Sequence, residues 1–182
     1  MLRASVAFLI TYMTIFTTSH FIIRQFTKAD FEDFYALNSN TDVLRYIRPV
    51  KNKEACIAFL NDQLQDYIAE PAMGRWFVAE KDTNRLIGTF SILYMQGDVD
   101  YHIGYALMPQ EWGKGYATEL LNEGIQYFLG NFNTSRLFAI TQPENIASEK
   151  VLVKTGFRLC GNITNESGLL NLFAINRVDR RL

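Results

Sequence analysis

Two glycines one residue apart, in Glu111-Trp112-Gly113-Lys114-Gly115-Tyr116-Ala117-Thr118, carry the clearest chemical signal in the chain. An apolar run from Tyr101 to Met108 leads into this stretch and is ended by Pro109. Leu120, Leu121, Gly124, Ile125 and Phe128 follow it at helical spacing. The glycines therefore lie between a strand and the N-terminus of a helix. There the first backbone N–H groups have no intrahelical acceptor and the helix dipole is positive. Residues without Cβ let a phosphate reach the main chain. A phosphorylated ligand is the chemistry that this pattern suits. Two rival phosphate motifs do not fit. There is no GxxxxGK[ST], and this GxG lacks the third glycine, and the acidic residue roughly twenty positions on, that a dinucleotide fold uses.

The two cysteines, Cys56 and Cys160, are far apart and lack CxxC or Cys/His ligand spacing, so neither a disulfide framework nor a metal site is expected. Cys56 falls on the apolar face of a predicted helix and Cys160 in a predicted strand. Both are read as small core residues carrying reduced, cytosolic thiols.

The elements around the glycines follow from periodicity. Thr27-Lys28-Ala29-Asp30 marks a helix start, with Phe31, Phe34, Tyr35 and Leu37 on one buried face. Residues 38–52 form a loop or a broken short helix. That segment either lines a substrate cleft or is a plain connection that buries Leu44 and Ile47. From an Asn52 cap, Cys56, Phe59, Leu60, Gln63, Leu64, Tyr67 and Ile68 predict a packing helix that ends before Pro71. Residues 75–80 and 86–94 read as strands joined by a turn at residues 81–84. A loop at residues 96–100 leads into the strand of Tyr101 to Met108, continuing an antiparallel meander. After the glycine helix, which stops near Gly130, Leu137 to Thr141 is a strand. A strand, helix and strand in series place it beside and parallel to the strand preceding the glycines. Asn145 begins a further helix that ends at Gly156. Residues 157–160 and 169–175 then pair around a turn at residues 165–168.

A length of 182 residues fits one domain with a full core. At 48% hydrophobic with only 4 prolines, the composition is that of a folded globular chain rather than a disordered one. Eighteen basic and nineteen acidic residues leave a net charge of −1, without the basic footprint of a nucleic-acid binder, so no nucleic-acid partner is expected. Residues 4–19 are uncharged and follow Arg3 in the manner of a signal peptide. They fall short of the ~20 apolar residues of a membrane span and are interrupted by threonines. Met13 offers an internal start, from which Ile15-Phe16 and Phe21-Ile22-Ile23-Arg24 open the domain with a β-strand. Residues 1–14 are accordingly read as a hydrophobic extension, and residues 15–182 as a single cytoplasmic domain. A membrane-anchored reading rests on composition alone and ranks last.

Three ordered blocks carry a family resemblance: Ile103-Gly104-Tyr105, Trp112-Gly113-Lys114-Gly115-Tyr116-Ala117-Thr118-Glu119, and Asn145-x-x-Ser148-x-x-Val151-Leu152-x-Lys154-x-Gly156-Phe157. Together they resemble the GCN5-related N-acetyltransferase (GNAT) superfamily, and within it the branch of bacterial ribosomal-protein N-terminal acetyltransferases. One glycine motif is weak, whereas three blocks at domain-scale spacing are specific. The resemblance implies an α+β fold: a mostly antiparallel sheet of about six or seven strands, a splayed parallel pair at its centre and about four flanking helices. It also implies acetyl-CoA as co-substrate, and an acyl-CoA N-acyltransferase domain acting as a monomer or homodimer. The pyrophosphate would lie along Trp112, Gly113, Lys114, Gly115, Tyr116, Ala117 and Thr118. Trp112 stands where the commonest form of the motif has Arg or Gln, a departure familiar in this branch. The pantetheine arm would pair with the backbone of Ala106, Leu107 and Met108, where an N–H can polarise the thioester carbonyl.

The resemblance further implies a base and an acid. His102 occupies the strand position where many relatives carry glutamate, and an imidazole titrating near 6.5 suits proton abstraction from an amine. The alternative is a solvated strand histidine without a role. The usual tyrosine donor to the leaving thiolate is replaced by Leu152, and Ser148 is its substitute by resemblance. A first-turn serine that partners Asn145 in a cap is the plainer reading of Ser148. Asn145 is expected to contact the CoA arm. The expected activity is acetyl transfer from acetyl-CoA to a primary amine, a protein N-terminal α-amine among the acceptors considered. The alternatives are a small-molecule amine acetyltransferase, or a non-catalytic acyl-CoA sensor or scaffold motivated by the absent tyrosine and glutamate.

Overall fold

Among the described residues, alternating and near-continuous apolar runs build eight strands, which pair into one sheet in the order β1-β2-β3-β4-β5-β6-β8-β7. The computed structural model describes residues 12–95, 100–165 and 168–179. The strands are Thr14–Thr17 (β1), Phe21–Arg24 (β2), Gly74–Glu80 (β3), Leu86–Tyr94 (β4), Tyr101–Leu107 (β5), Arg136–Thr141 (β6), Arg158–Asn165 (β7) and Gly168–Asn176 (β8). The helices are Phe31–Asn38 (α1), Thr41–Leu44 (α2), Lys53–Ala69 (α3), Tyr116–Asn131 (α4) and Ile146–Lys154 (α5). The sheet has one strand more than the upper expectation, because β1 adds a hairpin partner to β2. There is also one helix more, because the Asn40 side chain caps a single turn at α2 by accepting from Asp42 N and Val43 N. Among the described residues, no helix is long and apolar enough to cross a membrane. Residues 96–99 of the expected loop, residues 166–167 of the expected turn and residues 1–11 of the N-terminal extension lie outside the described residues; Asn165 and Gly168, at the ends of the turn, pair as expected.

β5 and β6 are the parallel pair, and their ladder has a single registered pair, His102 with Phe138. Beyond that point the strands part. The other neighbours in the sheet are antiparallel. Side chains alternate across the sheet, and cross-strand partners share a face. Arg75, Ser91 and Gly104 are in register, which puts them with His102 and Phe77 on one face. Phe77 packs there against Phe26, which meets Phe34 of α1. The other face carries Trp76, Phe90, Tyr101 and Tyr105, and α4 covers it through Tyr127 and Phe128. Gly124 lets α4 approach closely: an added Cβ would lie 2.1 Å from Phe90 Cζ, an overlap that only displacement relieves.

Two expected core residues are exposed. Ile68 is 77% exposed at the end of α3, where the apolar repeat outlasts the surface that the helix covers. Cys160 is exposed because β7 is the sheet edge, and its thiol donates to Leu172 O at 3.3 Å. Cys56 is buried, as its helical face predicts.

Candidate active site

The splay between β5 and β6 opens a cavity of about 640 Å³ that reaches both faces of the sheet. At one end stand the glycines. Gly113 (φ +74°) and Gly115 (φ +84°) occupy left-handed conformations that side chains with a Cβ adopt only with strain, and nothing lies within 4 Å of where either Cβ would be. Gly115 is the N-cap of α4. Among the described residues, the N–H groups of Gly113 to Thr118 have no protein acceptor; the first satisfied amide is Glu119 N, on Gly115 O at 3.1 Å. Open space, free amides and a helix N-terminus fit a phosphate.

The flanking side chains brace this turn. Trp112, about half exposed, donates from Nε1 to Leu107 O at 2.8 Å, tying the turn to the end of β5. Glu111 is buried and receives Arg85 Nη1 at 2.6 Å and Lys114 Nζ at 3.1 Å. Lys114 thus turns its ammonium to Glu111. Burial pushes the Glu111 carboxyl up, but its hydrogen bonds to Arg85 and Lys114 outweigh burial and hold it below the usual carboxylate range. A depressed acid stabilises the fold above its unfolded value, ~4.3 for glutamate, and loses that contribution as pH falls through the folded value. Glu111→Gln is therefore expected to lower stability by roughly 1–3 kcal/mol at pH 7. In urea titrations the difference from wild type closes below about pH 4. An equal difference at pH 7 and pH 3 would contradict this.

Main-chain alternation decides what β5 offers to the gap. Met108 N donates to Ile87 O at 2.9 Å, and Ala106 O points at Gly88, where a Cβ would lie 2.1 Å away. Ala106 and Met108 are therefore turned to β4, and the intervening Leu107 turns its N–H toward the gap. Of residues 106–108, Leu107 is thus the one that turns its N–H to the gap. Its carbonyl is already engaged by Trp112.

His102 lies on the opposite face from Ser148, at the closed end of the splay. Its Nδ1 is buried and has no hydrogen-bond partner among the described residues. Burial, reinforced by the Arg75 charge, lowers its pKa against the opposing effect of a backbone hydrogen bond at Tyr94. The imidazole is thus neutral at pH 7 with a polar atom awaiting a partner. Asn145 caps α5, accepting from Ser148 N at 3.2 Å, so the plainer reading of Ser148 describes a real contact. The Ser148 hydroxyl faces the cavity and accepts from Tyr105 Oη at 3.5 Å. Burial raises the Tyr105 pKa, with the Ser148 hydrogen bond acting against it.

Tyr105 was missed as a site residue. Its signal was its place in the Ile103-Gly104-Tyr105 block, two residues along the strand from Leu107. Segment 38–52 supplies Tyr46 and Arg48 to the cavity wall, so it lines the cleft, and it also buries Leu44, while Ile47 is 38% exposed. Arg48 and Arg75, which line the same cavity as His102, had no motif to announce them.

Comparison with known proteins agrees with this arrangement. The family profile described as "Acetyltransferase (GNAT) domain" matches residues 20–158. The uncharacterized N-acetyltransferase YoaA of Bacillus subtilis is 31% identical over 147 residues, covering 79% of this chain and 82% of that protein. Among solved structures, the ribosomal L7/L12 alpha-N-protein acetyltransferase RimL in complex with coenzyme A superposes with a TM-score of 0.76 at 15% identity, covering 90% of this chain and 98% of that one. Spermidine N-acetyltransferase from Vibrio cholerae, in complex with CoA and spermine, does so with a TM-score of 0.73 at 19% identity, covering 88% and 97%. At these identities the two structures speak for the fold, while the profile and the sequence relative speak for the lineage. The chain belongs to the GNAT family of acetyltransferases.

Proposed function

We propose that the protein transfers the acetyl group of acetyl-CoA to a primary amine by direct attack in a ternary complex. The observation that carries this reading is the single registered pair between β5 and β6, which leaves a through-sheet gap. Free amides lie at one end of the gap and a neutral histidine at the other. Acetyl-CoA supplies the activated acetyl thioester. The amides of Gly113 to Thr118 hold its pyrophosphate, and the Leu107 N–H polarises the thioester carbonyl. An amine must be neutral to attack, and His102 takes its proton, directly or through a water. A C–N bond forms as the C–S bond breaks. Ser148, backed by the Tyr105 hydroxyl, returns a proton to the departing thiolate. An α-amine, with a reference pKa of ~7.7 to 8.0, needs this base less than a lysine side chain at ~10.4. Protein N-termini and small amines both remain acceptors in this scheme.

Amine-dependent release of free thiol from acetyl-CoA is the expected result. It separates an enzyme from an acyl-CoA sensor, since ligand binding would stabilise either one against heat. Thiol release that no amine stimulates would favour the sensor. Full turnover in Ser148→Ala with normal acetyl-CoA binding would remove the acid role.

A further inference from the structure

Opposite the glycine turn, the cavity carries charge that acetyl transfer does not require. Arg75 of β3 and Arg48, in the turn after α2, line the cavity near His102. Their guanidinium carbons each lie 5.3 Å from the centroid of the Phe59 ring, and Lys51 Nζ lies 5.1 Å from it, so three like charges are gathered about one aromatic side chain. Arg48 Nη2 donates to Asn38 Oδ1 at 2.6 Å, while Arg48 Nε is buried without a partner among the described residues. Arg75 makes no side-chain hydrogen bond or carboxylate pair among the described residues. Asp66, whose charge acts on it, is exposed on α3 beyond ion-pair distance. Burial, with the Arg48 charge beside it, brings Arg75 down to about 10, and burial also lowers Arg48, so both remain protonated at neutral pH.

Guanidiniums drawn partly out of water without carboxylates are costly unless something anionic joins them. The other charged lining residues do not fill that need. Arg45 is a further cation. Glu111 is committed to Arg85 and Lys114. Asp42 is exposed and makes no ion pair among the described residues. A polyamine entering this end would meet like charge, whereas a carboxylate or phosphate oxyanion matches the arginine fork.

We infer that the acceptor amine carries an anionic oxygen group, a carboxylate or a phosphate, which Arg48 and Arg75 bind while the amine reaches the gap beside His102. Arg75 is in register with Ser91, and Ser91 with Gly104, so the Arg75 backbone lies two strand spacings, about 10 Å, from β5. The anion and the amine are therefore separated by several bonds. The role of the amine rests on the acetyl-transfer reading; the anion site rests on the arginines.

The test is calorimetric titration of the full chain, saturated with CoA, with ω-amino carboxylates from β-alanine to 6-aminohexanoate. The comparison ligands are the matching aminoalkyl phosphates, the corresponding carboxamides, and spermidine. At least one anionic amine is expected to bind about tenfold or more tightly than its carboxamide and than spermidine. The carboxylate and phosphate arms identify the anion. Arg75→Gln and Arg48→Gln are each expected to erase the difference, and Arg75→Lys to restore part of it, in variants whose melting shows them folded. The inference is overturned if a carboxamide or spermidine binds as tightly, if no probe binds, or if the preference survives both glutamine variants. Thiol release with spermidine and neutral amines alone would remove the anion site and leave acetyl transfer standing. Anion-selective binding without thiol release from any amine would do the reverse.

Discussion

Replacing His102 with glutamine is expected to lower kcat/KM for acetyl transfer by roughly 10²–10⁴-fold, the usual contribution of a positioned general base. The pH profile makes the result diagnostic. A base works when deprotonated, and burial together with the Arg75 charge lowers the His102 pKa, so the acidic limb of kcat/KM should fall below the ordinary histidine value of ~6.5. The limb should disappear in His102→Gln. In Arg75→Gln it should move toward higher pH, because a positive charge that favoured neutral imidazole has been removed. A profile that His102→Gln leaves unchanged would assign the proton transfer elsewhere, and the histidine would be a buried strand residue and nothing more. Because the Nδ1 has no partner among the described residues, the glutamine amide can occupy the site without stranding a new charge, which keeps the experiment a test of chemistry rather than of folding.

The second large effect is expected at Gly115. Valine there must adopt a backbone at φ +84°, which costs a residue with a Cβ about 1–2 kcal/mol and a β-branched one more. The backbone escapes that strain by rotating the free amides of the α4 N-terminus away from their common focus. Dissociation constants for acetyl-CoA should rise about tenfold to a hundredfold. The fold itself should persist, since nothing lies within 4 Å of the new Cβ. Gly130→Ala is the control: this glycine is also uncrowded, but it has no positive φ and lies at the far end of α4, so acetyl-CoA binding should not change. Unaltered acetyl-CoA affinity in a folded Gly115→Val protein would remove the phosphate role of this turn.

Much of this architecture was legible in local chemistry. Helix α3 could be read because Asn52 caps it, accepting from Ala55 N at 2.9 Å, and because Cys56, Leu60, Gln63 and Tyr67 recur on its buried side. The parallel relation of β5 and β6 followed from the strand-helix-strand order, since a crossover helix returns the chain in the same direction. The glycine turn was readable because φ, the missing Cβ and the helix dipole are properties of neighbouring residues. Cys160 and Ile68 were misjudged for a complementary reason: an apolar residue in a strand or on a helical stripe is buried only if another element covers it. Here β7 is the sheet edge, and the end of α3 extends past its cover.

The donor end of the active site was thus written into consecutive residues, from Leu107 through Thr118, whose backbone geometry short-range forces dictate. The acceptor end was not. Arg48, Arg75 and His102 are separated by 27 residues at each step, and their meeting depends on the register of β3, β4 and β5 and on how the segment after α2 folds over the sheet. The choice of Leu107 over Ala106 and Met108 likewise depends on which side of β5 its partner strand occupies. Long-range pairing sets both, and no local propensity encodes it. Composition and motif could therefore point to an acetyl donor, while the charge proposed to meet the acceptor emerged only where distant strands came together.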